Sequence, residues 1–177
     1  MKADTTVTFW RTNSSDQEEY AATLPIRDLD EFFISMDWYE DFINRDFLTI
    51  GMTGTFDFLL YEETVDIELF NSLLLRFQQL NEEEQETVLY LTHLYDDTIC
   101  ALHYALSVYS RYTIVPSSCK SEEAIAKFVI EKIYPRTLLR YFEESISFED
   151  FFQCLFKYQI AFCIDDRYII KSVELTD

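Results

Sequence analysis

In the run Phe70-Asn71-Ser72-Leu73-Leu74-Leu75-Arg76-Phe77-Gln78-Gln79-Leu80-Asn81-Glu82-Glu83-Glu84-Gln85-Glu86-Thr87-Val88-Leu89-Tyr90-Leu91 the hydrophobic period is helical, with Phe70, Leu73, Leu74, Phe77 and Leu80 on one stripe. Asn81 and Glu84 occupy the N-cap and N3 positions of a capping box, so the run is two helices separated at Asn81. On the second, Val88, Leu91 and Leu94 or Tyr95 face inward. A third segment, starting near Asp96-Asp97 and carrying Ile99, Leu102 and Leu106, completes a helical cluster over residues 62–107.

Before this cluster the pattern differs. Thr6-Val7-Thr8-Phe9-Trp10, Thr23-Leu24-Pro25-Ile26, Phe47-Leu48-Thr49-Ile50 and Phe56-Asp57-Phe58-Leu59-Leu60 read as strands, with a turn at Gly51 to Gly54 between the last two. Asp28, with Glu31 three residues on, caps a helix whose Leu29, Phe32, Phe33 and Met36 follow the spacing of a buried face. After the cluster, residues 109–115 read as a strand. Ser121 caps a helix burying Ile125, Phe128, Val129 and Ile133; Leu138, Leu139 and Phe142 suggest a short helix. Ser147 with Asp150 caps another helix carrying Phe151, Phe152, Leu155 and Phe156. Residues 160–164 and 168–173 form a hairpin around Asp165-Asp166. The expected fold class is α+β, a chain of small subdomains: an α/β unit at 1–61, a helical unit at 62–107 and an α/β unit with a C-terminal hairpin at 108–177.

The charge is regional. Residues 1–97 hold twenty-two acids and five bases, 5 − 22 = −17; the remaining eighty hold eleven acids and nine bases, 9 − 11 = −2, which completes the net charge of −19. With 17% aromatic and 49% hydrophobic residues the chain has ample core material, unlike an acidic disordered tail. Two glycines leave no phosphate-cradling loop, and four cysteines without a C-x-x-C pair, beside two histidines, do not make a zinc site. No apolar run reaches the roughly 18 residues of a membrane span, and Met1-Lys2-Ala3-Asp4-Thr5 precedes no signal-like h-region, so a cytoplasmic protein without a membrane partner is expected. A field of this sign repels nucleic acid and attracts basic protein clefts.

Duplex DNA presents a charge about every 3.4 Å along each strand. Carboxylates three or four residues apart on a helix are neighbours at about 5–6 Å, which makes Glu62/Asp66, Glu63/Asp66, Glu82/Glu86 and Glu83/Glu86 like-charge pairs costing about a few tenths of a kcal/mol each. A cationic partner would remove that cost. Asp28, Asp66, Glu82, Glu83, Asp96, Glu122 and Glu123 also fall at helix starts, where a carboxylate complements the helix dipole. Capping explains those positions, not a balance of −18 between Asp16 and Asp97, which hold twenty-one acids against three bases. A salt-adapted surface would spread its acids into the C-terminal third, and no calcium loop of the D-x-[DN]-x-[DN]-G form occurs. His93 and His103 adjoin no nucleophile motif and read as packing residues; no enzyme activity and no cofactor are expected.

In its order of three units, acidity and size the chain resembles the ArdA-type antirestriction proteins of phages and mobile elements. The likeness is carried by residues 47–80, where a strand and turn lead through Glu62-Glu63-Thr64-Val65-Asp66-Ile67-Glu68-Leu69-Phe70 into a helix ending before Asn81-Glu82-Glu83-Glu84. Ser121-Glu122-Glu123-Ala124-Ile125-Ala126 and Ile146-Ser147-Phe148-Glu149-Asp150-Phe151-Phe152 extend it. The resemblance implies an elongated homodimer whose carboxylates copy the phosphate track and fill the DNA groove of a type I restriction-modification enzyme. On that reading the target-facing residues are Asp28, Asp30, Glu31, Asp37, Glu40, Asp41, Asp46, Glu62, Glu63, Asp66, Glu68, Glu82, Glu83, Glu84, Glu86, Asp96 and Asp97. The dimer contact is expected around Phe142, Phe148, Phe152, Tyr168 and Ile170. Two other readings use the same face: an anti-CRISPR protein occupying the DNA channel of a Cas nuclease, and an immunity protein neutralising a basic nuclease toxin, in which a few hot spots set the affinity.

Overall fold

The structure, a computed structural model, describes residues 4–11, 19–44, 47–59, 65–133, 147–164 and 166–171. The architecture is α+β, with two three-stranded antiparallel sheets in separate regions. The chain divides into two compact units, Met1–Ser107 and Val108–Asp177. The segments expected as separate subdomains, 1–61 and 62–107, both lie in the first. No helix among the described residues is long and apolar enough to cross a membrane.

In the first unit, strand β1 (Thr5–Arg11) is central, flanked by β2 (Glu19–Leu24) and β3 (Phe47–Gly54). Alternation buries Thr5, Val7 and Phe9 on one face of β1. β2 ends at Leu24 because Pro25 has no N–H to continue the ladder. The expected turn at Gly51 to Gly54 is instead strand: Gly51 pairs with Thr8, and the register shifts by one residue between Thr8 and Phe9, a bulge that keeps the two strands together. Gly54 alone has a glycine conformation, at φ 113°, where an added Cβ would lie 2.4 Å from the carbonyl oxygen of Asp4. Residues 55–58 are a turn, not the expected fourth strand, and the buried side chains there are Phe56 and Leu59, three apart rather than two. Leu60 lies outside the described residues.

Helix α1 (Leu29–Ser35) starts where expected, with the Asp28 side chain accepting from Glu31 N. A second short helix, α2 (Tyr39–Asn44), was not legible in the sequence. Helices α3 (Ile67–Gln78) and α4 (Glu82–Leu94) bear out the two-helix reading: Asp66 caps α3, and Asn81 and Glu84 exchange both bonds of the capping box on α4. Helix α5 (Ile99–Val108) begins later than expected, because its cap is Thr98, whose Oγ1 accepts from Ala101 N. Asp96 and Asp97 form the preceding link in left-handed conformation, at φ 80° and 51°. The core includes Phe33, Phe56, Phe70, Leu74, Phe77, Leu91 and Leu102. The Phe56 and Phe77 rings meet edge to face at 5.0 Å, which joins the sheet-side turn to α3.

In the second unit the expected strand at 109–115 is shorter, a single 3-10 turn at Tyr109–Arg111 followed by β4 (Tyr112–Ile114). Helices α6 (Glu122–Ile133) and α7 (Phe148–Lys157) are capped by Ser121 and Ser147 as the sequence indicates. The hairpin is β5 (Ala161–Ile164) and β6 (Arg167–Lys171), and β6 lies between β4 and β5. The core joins Val115, Ile125, Ala126, Val129, Phe152, Leu155, Ala161 and Ile170. The helix expected at Leu138 to Phe142 lies outside the described residues.

Candidate interaction surface

Helix α3 holds the acid-bearing elements of the first unit. Asn71, buried in the apolar stripe, places its side chain on the main chain of Ile26: Oδ1 accepts from Ile26 N at 2.7 Å, and Nδ2 donates to Ile26 O at 2.8 Å. Ile26 lies two residues before the α1 cap, so this amide fixes the start of α1 on α3. At the other end, Gln85 Nε2 of α4 donates to Leu80 O, just past the end of α3, at 3.1 Å, and is a second donor at 3.2 Å to Phe77 O, which also accepts from Leu80 N. Arg76 Nη2 donates to Leu106 O of α5 at 3.2 Å. Asn71 and Gln85 were missed by reasoning from the sequence. A polar residue interrupting an apolar stripe was the signal available for Asn71.

The carboxylates lie on this scaffold as follows. Asp28, Asp30 and Glu31 are exposed at the start of α1, and Asp37 and Glu40 are exposed between and on the two short helices. Asp66 and Glu68 are exposed on the first turn of α3, and Glu82 and Glu83 on the first turn of α4. Glu84 and Glu86 are half-buried, and Glu84 is engaged with Asn81 N at 2.9 Å. Asp96 is exposed. Asp97 is half-buried and paired with Nδ1 of His93, whose ring lies 4.2 Å from that of Phe58. His93, though exposed, thus bridges the Phe58 ring and the α4–α5 link, and His103 is exposed on α5. Asp41 belongs to α2, but its side chain, with Asp46, Glu62 and Glu63, lies outside the described residues.

The unit boundary coincides with the charge boundary. Residues 98–107 carry no Asp, Glu, Lys or Arg, so with His neutral the first unit holds 5 − 22 = −17 and the second 9 − 11 = −2. In the described part of the first unit, the bases are Arg11, Arg27 and Arg76.

The residues expected at a dimer contact are mostly interior to the second unit. Phe152 and Ile170 are buried in its core, and Phe148 and Tyr168 are half-buried against it. Phe152, Phe156 and Tyr168 form a triangle of edge-to-face rings at 5.0 to 5.8 Å. Phe152 and Ile170 can thus support an interface only through their neighbours, and Phe142 lies outside the described residues. An open cavity of about 380 Å³ in this unit is bordered by Cys119, Lys120, Asp166, Arg167 and Tyr168, a mixed-charge lining. Among the described residues no group of three His, Cys, Asp or Glu side chains could hold a metal ion. No protein-family model matches this chain, and no curated protein matches it.

Proposed function

We propose that the protein is a DNA-mimic inhibitor of a bacterial defence nuclease, acting by occupying a DNA-binding groove. The type I restriction-modification enzymes are the first target class, and Cas nucleases the second. The observation that supports this reading is the confinement of a −17 charge to one compact unit, in which Asp28, Asp30, Glu31, Asp66, Glu68, Glu82 and Glu83 stand at the starts of helices braced by Asn71 and Gln85. A phosphate surrogate needs like charges at short, fixed separations. Helix starts supply them, because Glu82 and Glu86, or Glu83 and Glu86, are neighbours on α4 at about 5–6 Å between Cβ atoms. Rigid mounting matters energetically, since a groove that binds preordered charges does not spend affinity on ordering them. Attraction is then electrostatic, fast to form and strongly salt-dependent.

The test is a competition assay. The purified protein is titrated into a type I restriction enzyme, and separately into a guide-loaded Cas nuclease, each holding labelled duplex DNA, at low and high ionic strength. Release of DNA at low salt that weakens steeply at high salt is expected from one of the two. Retention of DNA by both would refute groove occupation and shift the reading to a dedicated toxin partner.

A further inference from the structure

Two isoleucines of the acidic unit stand in solvent, Ile34 on α1 at 59% and Ile43 on α2 at 60% exposure. A single exposed apolar side chain is ordinary. These two share a second property: each follows exposed carboxylates by one helical turn. Asp30 and Glu31 precede Ile34 by four and three residues, and Glu40 precedes Ile43 by three, spacings that place side chains side by side on a helix. Asp37 N donates to Ile34 O at 3.1 Å, so a further exposed acid follows just past the α1 end. A carboxylate is unfavourable there, because the helix already presents partial negative charge. Residues 28–44 contain six acids and no Lys or Arg.

Two buried rings lie beneath the corner between the two helices, and the exposed Tyr20 ring packs beside it. Phe33 and Trp38 are buried, and Trp38 N donates to Phe33 O at 3.0 Å. The Tyr20 ring meets Trp38 edge-on at 5.5 Å and Phe32 at 6.2 Å. With Phe33 and Trp38 committed to the core, Ile34 is left outward.

We propose that this α1–α2 corner is a docking surface for arginine side chains of a partner protein, with guanidinium groups on the carboxylates and aliphatic stems on Ile34 and Ile43. The inference rests on the reading that the acidic unit meets a basic protein surface, and it names the chemistry of that partner. Arginine fits better than lysine: its guanidinium is more weakly hydrated, binds carboxylates in two-pronged fashion, and leaves three methylenes to cover apolar surface. A nucleic acid has neither the charge nor the stem.

Nine-residue arginine and lysine peptides serve as probes of the full chain carrying 13C-labelled isoleucine δ1 methyls. The arginine peptide should shift the Ile34 and Ile43 methyl signals, and the lysine peptide should bind more weakly. The Ile34→Ser, Ile43→Ser double variant, altered only at exposed positions, should lose about tenfold in affinity for the arginine peptide, the scale expected for covering two partly exposed isoleucines. Unmoved methyls, equal affinity for both peptides, or an unaffected variant would overturn the inference. If the methyls respond but no nuclease releases its DNA, the groove-occupation reading fails and the arginine surface stands. If DNA is released while the methyls ignore the arginine peptide, the reverse holds.

Discussion

Replacing Asn71 with alanine should loosen the first unit while leaving its charge untouched. The side chain is 4% exposed and makes two short bonds to the main chain of Ile26, at 2.7 and 2.8 Å. Alanine removes both and leaves a half-buried N–H and C=O to find other partners. With a net value near 1 kcal/mol per bond and a further penalty for polar groups left dry, the loss is about 2 kcal/mol. For a unit of this size that corresponds to roughly 10 °C in Tm or about 1 M in the urea midpoint. Tryptophan emission is the natural probe, because both tryptophans, Trp10 and Trp38, belong to the first unit. Asn71→Asp sharpens the test. A carboxylate there can still accept from Ile26 N but faces Ile26 O without a proton, so its deficit should exceed alanine's at neutral pH. That deficit should shrink as acid restores a donor: the introduced carboxyl has a raised folded-state pKa, and its stabilising proton is lost as pH rises. A stability change under about 0.5 kcal/mol for Asn71→Ala would refute the argument that this amide holds α1 to α3.

The two glycines should behave oppositely. Gly51→Ala, in open space within a strand, should lie within about 0.5 kcal/mol of the parent in urea unfolding, whereas Gly54→Ala should cost at least about 2 kcal/mol, because its φ is 113° and its Cβ would strike Asp4 O. Changing Glu82, Glu83, Glu84 and Glu86 together to Gln should weaken nuclease inhibition at low salt, yet preserve the helix, since glutamine at position 84 can still accept from Asn81 N. Unchanged inhibition would remove the start of α4 from the binding surface. In the second unit, partial burial, then the neighbouring Cys163, raises the Tyr168 phenol above its ordinary pKa. The folded state therefore keeps that proton longer than the unfolded chain, so Tyr168 should contribute stability below pH 10 that is lost as pH climbs through the raised value. Tyr168→Phe should flatten this alkaline decline in circular dichroism melts.

The features legible in the sequence are local. The Asn81/Glu84 capping box, the Asp28 and Ser147 caps and the Phe70 to Phe77 stripe lie within one or two helical turns, and each is found where the residues indicate. What escaped depends on partners distant in sequence. Gly51 looks like a turn residue until β1 is laid beside it. Phe56, Phe58 and Leu60 alternate like a strand, but the burial of Phe56 follows the Phe77 ring, not a neighbouring strand. The same distinction applies to the surface. A charge of −17 is a sum and needs no geometry, so the acidic half was legible at once. Phe32, Phe33 and Ile34 are three consecutive apolar residues, and composition cannot say which one is left outside. That choice depends on ring contacts outside the helix: Phe33 is buried, Phe32 is half-buried between the Phe33 and Tyr20 rings, and Ile34 is left outside. Exposed apolar anchors among carboxylates would change how affinity responds to salt: screening weakens the charge contacts, whereas the contribution of buried methyl groups persists. A complex that kept part of its affinity at high salt, and lost that remainder in the isoleucine double variant, would therefore separate arginine docking from charge mimicry alone.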